Sequence, residues 1–306
     1  MAVETPLKVR IGFGLGTRSR AADDGALGEL VDALEDGGWD SLWFSEQLGG
    51  PAPDPLVAMA WLAGRTRRLK FGTAVGVVPG RNPVVLAKQM ATLDRLSDGR
   101  FLPALGLGAV RPIEQAAFGV QRAERAPWFD EALGLMRRLW TEDDVTHDGE
   151  RFSVSALTVG PKPVQEPLEV WLGGRAPSEL RRVGRLGDGW LPSFCTPSDV
   201  ARGWELVTQT AAEHERRIDP QHLGALVPYS HGPLDDAYRA AIEKFRPDVD
   251  VDEVIPAGAG ALRDLLQSFI AVGASKFVLV PVAEPTVGAW SDEIAALSGA
   301  VMDLQT

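Results

Sequence analysis

Lys70-Phe71-Gly72-Thr73-Ala74-Val75-Gly76-Val77-Val78-Pro79-Gly80-Arg81-Asn82-Pro83 is a short apolar run that closes in turn residues and an Asn-Pro pair. A run of this length between turn signals reads as a buried strand, here Lys70–Val77. Asn82 can cap the first free N–H groups of a helix, and proline suits the first helical position because it has no N–H to leave unpaired. A helix-period stretch runs on to Leu96, Ser97-Asp98-Gly99 turns the chain, and a second apolar run follows at Phe101–Leu107. Strand, crossover helix and strand in this order is the repeating unit of a parallel sheet.

The unit recurs in both directions. Strand runs lie at Lys8–Gly14, Asp40–Ser45, Leu168–Leu172, Gly189–Pro192, Leu223–Tyr229 and Lys276–Pro281, besides the two already read. Helical stretches separate them at Asp23–Glu35, Pro55–Arg68, Pro127–Trp140, Pro177–Leu186, Pro197–Arg217 and Leu262–Val272. Asp54-Pro55 and Thr196-Pro197 repeat the capped-proline start, Arg111-Pro112 and Ala176-Pro177 use the proline alone, and Thr196-Pro-Ser-Asp199 has capping-box spacing. Eight strands alternating with helices predict an α/β fold of the TIM (β/α)8 barrel type, with an open doubly wound sheet as the competing arrangement. Two stretches exceed an ordinary connection, Gly108–Pro167 after strand 4 and Ser230–Pro256 around strand 7, and read as insertions. With no internal repeat and no linker, residues 1–306 read as one domain.

Composition narrows the function classes. Lys and Arg number 31 against 42 Asp and Glu, a formal charge of −11, which offers no general attraction to a phosphate backbone, so no nucleic-acid partner is expected. The only cysteine, Cys195, fits a reducing compartment. Met1–Arg10 lacks the basic-then-apolar pattern of a secretory signal, and no run is apolar enough to span a bilayer, so the expectation is a cytoplasmic protein without a membrane partner.

In a barrel every strand C-terminus opens on one face, and glycines cluster at those ends: Gly12, Gly14, Gly16, Gly72, Gly76, Gly106, Gly108, Gly173 and Gly174. Their convergence predicts a pocket with an open backbone floor that suits a flat aromatic cofactor, against the plainer reading of corner bends and tight turns. Gly12-Phe-Gly14-Leu-Gly16 is not a dinucleotide fingerprint, because the third glycine comes one residue early and no helix opens behind it. Gly173-Gly174-Arg175-Ala176-Pro177 is a better anion site, joining exposed backbone N–H groups, a guanidinium and a helix start. The competing reading is a turn with a solvated arginine. Glu46 and Gln47 end the second strand facing the presumed pocket, where Glu46 can bind a cofactor edge, move a proton or pair with Arg81. The four histidines show no zinc spacing and Ser193 and Cys195 no nucleophile elbow, so neither a metal nor a serine-type nucleophile is expected. The tryptophans read as core, with Trp43 able to reach the pocket rim.

Several ordered segments resemble the luciferase-like monooxygenase superfamily: Phe71–Gly76, Arg81-Asn82-Pro83, Ala87-Lys88-Gln89, Thr92–Arg100, Leu139–Asp143, Pro161–Gln165, Trp171–Gly174 and Gly187–Pro192. The resemblance implies a barrel that binds FMN or the deazaflavin coenzyme F420 at its C-terminal face, commonly as a homodimer, and within the superfamily it is nearest the F420-dependent oxidoreductases. Ala74 and Val75 would lie against the ring system, where the family often has a non-prolyl cis peptide. Gly106, Gly108, Ala109 and Val110 would follow the tail, and Gly173, Gly174 and Arg175 would hold the phosphate. The chain departs from the family at Ser45-Glu46-Gln47, where many members have a histidine. Glutamine hydrogen-bonds but moves no proton near neutral pH. A second departure is Val110, where a third glycine is frequent. The expected function is hydride transfer between F420 and a small organic substrate, with Glu46 and Gln47 orienting ring or substrate. The alternatives are an FMN-dependent monooxygenase using O2 and a non-catalytic cofactor-binding barrel.

Overall fold

The computed structural model describes residues 6–22, 25–286 and 288–306. Met1–Thr5, which carry most of the leader reading, and Asp23, the expected start of the first helix, lie outside the described residues. Eight staves form the barrel: β1 (Arg10–Leu15), β2 (Ser41–Phe44), β3 (Lys70–Thr73 and Gly76–Val77), β4 (Phe101–Leu102 and Ala104–Gly106), β5 (Trp171–Leu172), β6 (Gly189–Trp190), β7 (Gly224–Tyr229) and β8 (Lys276–Pro281). Each pairs in parallel with the next from β1 to β6, β7 pairs with β8, and β8 pairs with β1. Parallel bridges Trp190–Leu223 and Ser193–Leu226 join β6 to β7, so the cylinder closes and the open-sheet alternative falls. Among the described residues no helix is long and apolar enough to cross a membrane.

Local chemistry made these junctions readable. Asp54 accepts from Val57 N at 3.0 Å, Asn82 from Val84 N at 2.9 Å, and Thr196 from Asp199 N at 3.1 Å, each directly before a first-turn proline. The helix expected from Pro127 begins at Arg125, with the proline inside the first turn where a missing N–H costs no bond. The fifth strand shrinks from Leu168–Leu172 to Trp171–Leu172, and Val170 N, expected in the ladder, donates to the Asp188 side chain at 2.9 Å. Buried Asp94 accepts from Val164 N at 2.7 Å and Gln165 N at 3.0 Å, and its other oxygen takes the Gln165 amide at 2.6 Å. The Asp94 and Gln165 positions that carried part of the resemblance are therefore scaffolding.

Both insertions are present. Between β4 and β5 lie helices Pro112–Phe118 and Arg125–Thr141 and an antiparallel hairpin, Val145–Asp148 with Ser153–Leu157. After β7 come helices Asp236–Phe245 and Val251–Val254, which the sequence reading left without structure. Arg246, buried, anchors them: it donates to Asp199 and Asp248 at 2.9 Å and to the Phe194 carbonyl.

The N-terminal end of the barrel is plugged by charge. Lys276 at the start of β8 is buried, donates to Asp40 and lies 5.5 Å from the centre of the Trp43 ring. Lys70 reaches the other Asp40 oxygen at 3.1 Å, Ser41 donates to Asp40 at 2.9 Å, and the Trp43 indole N–H donates to Ser41 at 2.8 Å. Trp43 thus sits in the barrel floor, as the core reading of the tryptophans has it, and not at the pocket rim it could have reached. Burial pushes the Asp40 carboxyl up, but the ammonium groups of Lys276 and Lys70 outweigh it and hold it well below the usual carboxylate range. Burial pushes Lys276 down, and the pull of Asp40 restores only part of that.

Lys276→Met strips Asp40 of its closest partner inside the barrel and is expected to cost about 3–5 kcal/mol in urea unfolding. Because the folded Asp40 pKa is depressed, its contribution is full above the unfolded aspartate range, near pH 4, and fades as pH falls towards the folded value. The stability gap between wild type and Asp40→Asn should therefore be largest at neutral pH and shrink below pH 4. A gap that does not change with pH would remove Asp40 from this role.

Candidate functional site

Every stave ends at one cavity of about 1110 Å³ on the C-terminal face, with Gly16, Ser45, Val77, Gly106, Gly173, Leu191, Pro228 and Pro281 each contributing from a different stave end. The volume passes the upper end of ordinary single-ligand pockets, about 1,000 Å³. Closure order sets the walls: β3, β4 and β5 stand across the barrel from β7, β8 and β1. The first wall carries Ala74, Val75, Gly106, Gly108, Ala109, Gly173 and Gly174 of the expected site, and Glu46 joins it from β2. Gln47, Val110 and Arg175 stand outside the lining. Val110 is 54% exposed and turned to solvent, so it does not crowd the loop that Gly108 and Ala109 form.

The Ala74–Val75 peptide is cis, as the resemblance implied, and Ser45 donates to the Ala74 carbonyl at 3.0 Å. The glycines around it have a reason within the chain. A Cβ on Gly106 would lie 2.7 Å from one Val75 methyl, and a Cβ on Gly173 3.0 Å from the other. One on Gly108 would lie 2.8 Å from Val77. Gly72 makes the same kind of room for Trp43, and Gly14 for Val278 and Val280. Close approach is the cause, as expected, but the approaching atoms are the chain's own side chains.

Glu46 is committed on both oxygens: one accepts from Val77 N at 2.6 Å, and the other is paired with Arg81. Burial pushes its carboxyl up, and Arg81 and the Val77 N–H only partly reverse this. It ties the end of β2 to the second half of β3. Arg125, buried behind the opposite loop, gives one terminal nitrogen to the carbonyls of Leu107, Gly108 and Ala109, at 2.7 Å for Gly108.

The expected anion site is occupied from within. Glu179, one turn into helix Pro177–Leu186, accepts from Arg175 N and Ala176 N at 2.9 Å, so a carboxylate already sits at the helix start beside the two glycines expected to hold phosphate. The Arg175 guanidinium turns away, stacking 4.8 Å above the Phe245 ring and donating to the Phe245 carbonyl at 3.1 Å. Local positive charge at the mouth comes instead from Arg18, Arg20 and Arg182, interspersed with Glu179 and Glu284. Ser45, Phe194, Leu226, Trp290 and these arginines were missed. Ser45, Arg18, Arg20 and Phe194 follow strand ends closely, which was a usable signal, whereas Leu226 lies inside a strand and Arg182 and Trp290 lie in helices.

The luciferase-like monooxygenase family model matches residues 9–272. This chain belongs to that family. An F420-dependent glucose-6-phosphate dehydrogenase from Kineococcus radiotolerans is 33% identical over 203 residues, 62% of this chain and 58% of that protein. A putative coenzyme F420-dependent oxidoreductase from Mycobacterium tuberculosis is 31% identical over 181 residues, 55% of this chain and 51% of that protein. The chain thus spans little more than half the length of the curated relatives it matches. Among solved family-fold structures, an F420-dependent secondary alcohol dehydrogenase with an F420-acetone adduct superposes with a TM-score of 0.80 at 21% identity, covering 98% of this chain and 100% of that one. The oxygenating constituent of a type II Baeyer-Villiger monooxygenase from Pseudomonas putida, with FMN, gives 0.74 at 16% identity, covering 95% and 96%. At these identities the superpositions speak to the barrel alone.

Glu179→Gln removes a carboxylate from the helix N-terminus and should strengthen binding of inorganic phosphate by roughly tenfold in isothermal titration. Unchanged affinity would place the anion elsewhere on the family barrel.

Proposed function

We propose that the protein is an oxidoreductase that transfers a hydride between F420 and a small organic substrate. The observation that carries this reading is the cavity itself: its volume suits two molecules, and its β3–β5 wall sets the cis Ala74–Val75 peptide against Gly106 and Gly173. Relatives over half the chain bear F420-dependent names, which supports the same choice of cofactor. Bound F420 would supply the hydride donor or acceptor, and the protein's share is placement and exclusion of water.

Ala74 and Val75 form the ring platform, braced from behind by Gly106 and Gly173. Gly108, Ala109 and Gly174 border the tail, with Val110 and Arg175 just beyond the lining. Glu46 positions Val77 and Arg81, and Gln47 offers amide hydrogen bonds at the same strand end. Glu179 favours F420 over FMN: the phosphomonoester of FMN carries close to two negative charges and would meet the carboxylate at the helix start. The −11 chain repels an anionic tail overall, and the arginines at the mouth, Arg18, Arg20 and Arg182, offset that field locally. Exposed Val57, Trp61 and Val85 on helices Pro55–Arg65 and Pro83–Leu96 suit the homodimer that the resemblance implies, and the whole chain acts as one cytoplasmic unit.

Titration of the purified protein with F420 and with FMN tests the reading. F420 should bind at least tenfold more tightly, and Gly106→Val, which drives Val75 off its seat, should abolish that preference by weakening F420. Tight FMN binding without F420 binding overturns it.

A further inference from the structure

The wall across from Ala74–Val75 has a different chemistry, and nothing in the F420 reading accounts for it. Leu226 and Pro228 of β7, Val280 of β8, Val282 just past it and Trp290 present hydrocarbon to the cavity. The surface is held in place. Gly14 leaves room for Val278 and Val280, whose methyls lie 2.8 Å from where its Cβ would be, and Trp290, 1% exposed, packs edge-on against Phe13 at 5.9 Å. A roof covers it: Phe194 and Phe245, both lining the cavity, meet edge-to-face at 5.6 Å.

The roof is built at a cost. Phe194 holds φ +53°, a left-handed conformation that a bulky side chain rarely adopts and that persists only where the surroundings enforce it. The enforcing group is Arg246, buried and locked by Asp199 and Asp248, which donates to the Phe194 carbonyl. Arg175 stacked on Phe245 fixes the other ring. Two of the three mouth arginines have partners within the chain, Arg182 donating to Asp130 at 2.7 Å and Arg18 lying 5.2 Å above the Tyr238 ring, and the backbone of the third, Arg20, donates to Glu284 at 3.0 Å.

We infer that this compartment binds an uncharged small molecule with an aromatic or alicyclic body, and that Phe194, Phe245 and Leu226 determine its specificity. A sugar phosphate would lay hydroxyls and a dianion against Leu226, Pro228, Val280 and Val282, whose side chains offer no hydrogen bonds, while the polar groups of this side, Thr17, Ser19, Glu284 and Thr286 among them, lie in the loops beyond the strand ends. A ring-bearing alcohol or ketone buries apolar area there and stacks under the Phe194–Phe245 pair. The inference deepens the proposed function by naming the substrate class, and it rests on that reading only for what happens after binding.

Isothermal titration of the protein without cofactor separates the two. Acetophenone and 1-phenylethanol should bind saturably, and glucose 6-phosphate should not. Phe194→Ala and Leu226→Ser should each weaken acetophenone roughly tenfold, as loss of one aromatic or apolar contact does, while F420 affinity holds within about twofold. Phe245 is 52% exposed, so Phe245→Ala folds whatever the others do and should weaken acetophenone in the same direction. Binding of glucose 6-phosphate in preference to acetophenone, or acetophenone affinity indifferent to all three substitutions, overturns the inference. Acetophenone binding together with failure of F420 to bind would leave the compartment standing and remove the hydride-transfer reading instead.

Discussion

A buried ion pair between Asp40 and Lys276 makes one end of this barrel a floor and the other a site. A lysine inside a barrel is tolerable only beside a carboxylate, and Asp40 meets that need while also taking Lys70 and Ser41. The cluster spans the starts of β2, β3 and β8, so it ties together three staves distant in sequence. Trp43 lies over it and fills the axis. With the lower end closed by charge and indole, space remains only above, where all eight staves end.

Above that floor the walls obey packing. Val75 occupies the gap left by two glycines, Gly106 and Gly173, on neighbouring staves, and lines the cavity there. The opposite wall is the inverse case, where Gly14 yields to Val278 and Val280 and hydrocarbon advances. The same device, a glycine ceding volume to a valine across a strand pair, shapes both walls. Charge is handled by pairing: Glu46 with Arg81, Glu179 with a helix start, Arg246 with two aspartates. Each pair fixes a loop at the mouth.

The strand and helix order was plain in the chain because it depends on neighbours in sequence. Asn82-Pro83 caps and starts a helix whatever surrounds it, and an apolar run bounded by glycine is a strand in most settings. Eight such units also predicted closure, since parallel staves with crossover helices have few ways to bury both faces. The cis peptide at Ala74–Val75 came from the resemblance that the ordered motifs carry, since nothing local to those two residues signals it.

What the chain alone could not decide were contacts between residues far apart along it. Gly173-Gly174-Arg175 reads as an open anion site, yet in the fold Glu179 holds the N–H groups of Arg175 and Ala176, and Phe245, seventy positions on, holds the Arg175 guanidinium. Trp43 and Trp290 are equally apolar in sequence, yet the fold buries one in the floor and sets the other in the cavity wall. The sequence by itself determined the alternation of elements and the face on which they end, because those are set by local hydrogen bonding and periodicity. Only the tertiary structure decided which glycines yield to side chains, which charges are already paired and which wall is hydrocarbon, because each depends on volume and charge brought together by closure of the barrel.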